Sequence, residues 1–72
     1  MRKIRVRRGP GVWLAEDGVQ VRAFVRGSEA EQWSRDLAQE LAAGGEPAEV
    51  EVFDLSDRRV GSIVVHPRWA RA

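Results

Sequence analysis

The chain has 72 residues, with twelve Lys/Arg against eleven Asp/Glu, a single histidine and no cysteine. Disulfides and thiolate chemistry are therefore excluded, and a zinc site of the common His/Cys type lacks its donors. A chain this short makes one domain that buries only about 60% of its unfolded surface, so association with a second chain would add useful stability.

Arg2 to Arg8 alternates. Ile4 and Val6 point one way and Lys3, Arg5 and Arg7 the other, which is the pattern of a half-buried strand. The basic start is not followed by an apolar stretch, so it does not read as a secretory leader. Gly9-Pro10-Gly11 is a turn, and if all three residues are loop, Ile4 and Val6 join the face of Val12 and Leu14; it lacks the spacing and the Lys-Ser/Thr that cradle a phosphate. Val12–Glu16 is a second strand and Val19–Arg26 a third. Between them Asp17-Gly18 is a strong signal for a two-residue type I′ hairpin. That turn sets Glu16 opposite Val19, Leu14 opposite Val21 and Val12 opposite Ala23. With Val25, Ile4 and Val6 these form one apolar face, expected to lie against the helix. Trp13, Gln20, Arg22, Phe24 and Arg26 then join Lys3, Arg5 and Arg7 on the outer face.

A helix is expected from Ser28 to about Ala43. Ser28 and Glu31 have the spacing of a capping box, and Glu29 and Glu31 place acid at the positive end of the dipole. Ala30, Trp33, Ser34, Leu37, Ala38 and Leu41 recur every three or four residues and make one face. Gly44-Gly45 stops the helix and Pro47 prevents its resumption. Ala48–Leu55 and Arg59–His66 alternate again and form a second hairpin, with its turn in Ser56–Arg59. Val50 and Val52 group with Ile63 and Val65; Phe53 and Leu55 group with Val60 and Val64. Both faces are apolar, which leaves the inward face undecided and fits a hairpin covered on both sides. The order β-β-β-α-β-β gives an α+β two-layer sandwich, an antiparallel sheet with one helix on one face. Residues 1–66 form the domain and 67–72 a basic tail.

Three stretches carry a resemblance. Gly11–Gly18 resembles an opening strand of the form G-x-W-x-V-x-x-x-G. Ser28–Ala38 resembles a T-x-x-E-A-x-x-x-A-x-x-L-A helix, and Val50–Val60 a V-V-H-x-x-D-G-R-I hairpin. Together, over most of residues 4–61, the chain resembles the small bacterial domain-of-unknown-function family 2188. It departs from that pattern at Arg58-Arg59, at Trp33 and in having no histidine in the fourth strand. The resemblance implies a β-rich sheet with one helix and no assigned activity.

Charge is laid out in blocks: residues 1–26 are net +5, residues 27–57 net −8 and residues 58–72 net +4. Such asymmetry bears on partners more than on fold. The outer face of Lys3, Arg5, Arg7, Trp13, Arg22, Phe24 and Arg26 is the candidate binding surface. Its leading reading is protein association, a homodimer or a protein partner, through a non-enzymatic interaction module. The alternative is nucleic acid, with cations on phosphates and rings on bases. A plain cross-strand cation–π pair between Trp13 and Arg22 is the third reading. His66 is alone, Asp54 and Asp57 lack calcium-loop spacing, and no Ser/His/acid set stands out. No enzyme activity, cofactor, metal, membrane span or small-molecule substrate is expected; the longest aliphatic run is Ile63-Val64-Val65. A soluble protein of the cytoplasm is the expected setting.

Overall fold

A computed structural model of the chain describes residues 1–68. The strands β1 (Arg2–Gly9), β2 (Val12–Glu16) and β3 (Val21–Phe24) precede helix α1 (Gly27–Ala43). The strands β4 (Ala48–Phe53) and β5 (Arg59–Val65) follow it. All five form one sheet in the order β3-β2-β1-β4-β5, with α1 on one face. The α+β sandwich and its element order are as expected. The sheet is mixed rather than antiparallel, because β1 and β4 run parallel. Two hairpin reversals make β3 parallel to β1. A helix of 17 residues then carries the chain back along the sheet, so β4 starts at the same end as β1.

The main correction concerns which side chains face the helix. β1 and β2 pair as Gly9↔Val12, Arg8↔Trp13 and Val6↔Ala15. Only Pro10 and Gly11 lie in the turn, with Gly11 at φ 74°, as a proline–glycine pair suits a type II turn. A three-residue loop would have put Leu14 beside Val6. One residue fewer flips β2, and Trp13 and Ala15 share the face of Ile4 and Val6. The turn after β2 is also longer than expected. Asp17–Gln20 forms a four-residue loop, and Glu16 pairs with Val21, Leu14 with Ala23 and Trp13 with Phe24. The two-residue difference preserves parity, so Trp13, Arg22 and Phe24 stay together, but beneath the helix. The exposed side chains are Val19, Val21 and Val25, at 86%, 62% and 83%.

The core is built from Ile4, Val6, Ala15, Ala48 and Val50 of the sheet and Ala30 and Ala38 of the helix. On α1 the fully packed line is Ala30, Ser34, Ala38 and Ala42. Small side chains at four-residue spacing bring the helix close to the sheet, with Trp33, Leu37 and Leu41 half-buried alongside. The Ser34 hydroxyl donates to the Ala30 carbonyl at 2.8 Å. No side chain caps the N-terminus, and the N-cap position is Arg26, two residues before the Ser28 that the capping box implied. Gly27 lies flat against Trp13: a Cβ there would fall 2.9 Å from Trp13 Cε2. Contact with the indole, rather than a cap, fixes this end. Phe24 and Trp33 pack with ring centroids 6.1 Å apart. Arg22 lies over Trp33 at 5.8 Å and Arg8 over Trp13 at 5.5 Å, which replaces the expected Trp13–Arg22 pair.

The second hairpin resolves its ambiguity. β4 and β5 pair as Ala48↔Val65, Val50↔Ile63 and Val52↔Gly61, then Phe53↔Arg59, so Val60 is an extra residue in a bulge. Val50, Val52, Ile63 and Val65 therefore face the helix side. The loop is tied by Asp54, whose Oδ1 accepts the N–H of Ser56 at 2.8 Å and of Arg58 at 3.0 Å. Pro67 is fully buried, so packing extends into the segment expected as tail. The rest of that segment, Trp69 to Ala72, lies outside the described residues.

Trp13→Ala should lower unfolding free energy by roughly 2–4 kcal/mol, while Val25→Ala should change it by less than about 0.5 kcal/mol. Urea denaturation checks both, and the opposite ranking would restore the inverted sheet. Asp17 is buried and its Oδ1 accepts the N–H of Gln20 at 2.8 Å and of Val19 at 2.9 Å. Those hydrogen bonds, with Arg2 nearby, hold its carboxyl below the usual aspartate range. Its folded pKa is thus below its unfolded one. The stability it contributes is present above the unfolded value, about 3.9, and is lost as pH falls through the folded value. Asp17→Ala should cost about 1–3 kcal/mol at neutral pH and flatten stability against pH below about 4, as read by denaturation at stepped pH.

Candidate interaction surface

The seven residues expected to form one patch are divided among three places. Lys3, Arg5 and Arg7 do project from the face opposite the helix. Trp13, Arg22 and Phe24 are on the helix-covered face, and Arg26 stands at the helix start. No continuous basic and aromatic surface results.

The outward cations of β1 are also paired. Parallel register sets Lys3 beside Glu49 and Arg5 beside Glu51. Lys3 Nζ lies 4.0 Å from Glu49 Oε1, and Arg5 Nε 3.7 Å from Glu51 Oε1. Arg59 closes on the same acids from β5, 3.3 Å from Glu51 and 3.8 Å from Glu49. Arg7 meets Glu16 of β2 at 3.3 Å. Glu51 is only 6% exposed. Glu49 and Glu51 are thus the centre of a ladder of opposite charges across four strands. The signal for it was the charge blocks themselves, once β4 is placed beside β1.

The uncovered apolar surface lies elsewhere. α1 crosses β1 to β4 and reaches β5 only marginally. The gap is a groove of about 270 Å³ between helix and edge strand. Val50, Val52, Val60 and Ile63 line it, and Glu31 and Arg35 of α1 form its rim. β5 is a seven-residue edge strand, against four residues for the edge at β3. Val60 is 63% exposed, Ile63 46% and Val64 38%. Edge strands are ordinarily blunted by charge, proline or shortness, since their unpaired N–H and C=O groups template pairing. β5 has no proline and one charged residue, Arg59, at its first position. Among the described residues no three His, Cys, Asp or Glu side chains cluster to hold a metal, and no helix is long and apolar enough to cross a membrane.

No family model matches the chain, and no curated protein or solved structure matches it either.

The ladder predicts weak nucleic-acid binding. Fluorescence polarisation with single- and double-stranded oligonucleotides should show none at physiological salt. The double substitution Glu49→Gln with Glu51→Gln releases Lys3, Arg5 and Arg59. It should gain binding that falls steeply with salt while circular dichroism stays unchanged. Tight, salt-dependent binding by the unsubstituted chain would contradict the ladder as a neutraliser.

Proposed function

We propose that this chain is a small non-enzymatic interaction module of the cytoplasm that meets protein partners at β5 and the groove beside it. The observation supporting this is a long apolar edge strand left unpaired next to an uncovered apolar groove. An incoming strand would gain main-chain hydrogen bonds along β5, and alternate side chains would enter the groove. The nucleic-acid reading loses its main support, because the rings that would stack bases lie beneath the helix and the cations of β1 face carboxylates.

A photo-crosslinking residue placed at Ile63 tests the surface. Expressed in cells, that variant should form protein adducts, while the same residue at Asp36, on the outward side of α1, should not. Equal yields at the two positions, or none at Ile63, would remove the surface.

A further inference from the structure

We infer that the partner at this edge is a second copy of the chain, paired antiparallel through β5 about a two-fold axis at Ser62 to give a ten-stranded sheet. This rests on β5 being the interaction surface and adds the identity of the occupant.

Three observations favour a second copy. The first is shape. Pairing centred on Ser62 sets Gly61 of one copy opposite Ile63 of the other, and Val60 opposite Val64. Nothing lies within 4 Å of where a Cβ on Gly61 would stand. The space above Gly61 thus receives the partner's half-exposed Ile63, and a large side chain meets a missing one twice over. Such reciprocity is what a two-fold interface requires.

The second is charge. Arg59 begins β5 and no acid follows in the strand. Antiparallel pairing sends the two Arg59 side chains to opposite ends, each already held by Glu49 and Glu51 of its own chain. Parallel pairing would set Arg59 beside Arg59. The same two-fold runs the two helices in opposite directions on one face of the sheet.

The third is the comparison with β3. Its edge has only four residues, one of them Arg22, whose guanidinium is turned over Trp33. Its shorter pairing makes it the poorer seam. Use of both edges in turn would give an open chain of sheets rather than a closed dimer.

Sedimentation velocity of the full chain, from low to high micromolar, tests the inference. The expected result is a concentration-dependent doubling of mass. Ile63→Lys points a charge inward at the seam and should weaken the dimer at least tenfold with far-ultraviolet circular dichroism unchanged. Val21→Lys on the β3 edge should leave it intact. Amide hydrogen exchange gives a readout without substitution: β5 amides should lose protection on dilution while those of β3 do not. That measurement decides the case should Ile63→Lys fail to fold. A chain that stays monomeric at high micromolar overturns the inference, as does a dimer broken by Val21→Lys and not by Ile63→Lys. A monomer that still crosslinks at Ile63 to a different protein removes the second copy alone. A monomer without adducts removes the surface as well.

Discussion

The two-residue turn at Pro10-Gly11 sets the parity on which the rest of the sheet depends. Strand side chains alternate, so one residue more or less in this turn would exchange the two faces of β2 and carry β3 with it. As folded, Trp13 and Phe24 lie under the helix with Ile4 and Val6, and Val21 of the third strand, with Val19 and Val25 on either side of it, is left outside. The indole of Trp13 then decides where the helix begins. Its ring occupies the space a side chain at position 27 would need, and only glycine lets the backbone approach it. This accounts for a helix start without a side-chain cap. The orientation of α1 is set by packing, where the order Ser28, Glu29, Ala30, Glu31 would have set it by hydrogen bonding.

The uneven charge of the chain has an internal use. A basic first strand, an acidic fourth and an arginine opening the fifth become neighbours, and their charges meet in register. The cations of these pairs are about half exposed and screened by solvent, so each pair contributes little, about 0–1 kcal/mol. Their larger effect is selective. Glu51 is buried between Arg5 and Arg59, and a one-residue slip of β4 against β1 would turn it into the core, an arrangement that costs several kcal/mol. The ladder thus discriminates among registers more than it adds stability. It also explains why a basic segment that looked available for phosphate is largely occupied.

The sequence was informative where signals were local and periodic. The helix, its Ala30–Leu41 stripe, the five strands and the two hairpins were legible from spacing. The Asp17-Gly18 turn was legible as a turn. Its length was not, because Asp17 closes a wider loop by accepting two backbone N–H groups, a choice that a dipeptide preference does not reveal. A two-residue β1–β2 turn, in place of a three-residue loop, inverts the candidate site: Trp13, Arg22 and Phe24 share one face as the alternation predicts, but it is the face beneath the helix. The parallel β1–β4 pairing was legible in principle, since two reversals and one crossover helix imply it. The groove left a fainter trace, in a second hairpin apolar on both faces.

The same economy that closes the core leaves the edge open. Alanines and a serine line the inner face of α1, so the helix sits low over the central strands and does not extend its cover to β5. Val50, Val52 and Val65 of the last hairpin pack against the core, while its other aliphatic side chains stay exposed, Leu55 and Val60 most of all. An edge of this kind is usually guarded by a charge directed along it. Here the single charge on β5 is Arg59, and the ladder has turned it onto the open face against Glu51 and Glu49. The interaction that specifies the inner register thus strips the edge strand of its guard. A chain so arranged either tolerates a standing liability to associate or uses it; the open space beside Gly61 and the half-exposed Ile63, two residues along the same strand, are the features that the proposed pairing would bring together.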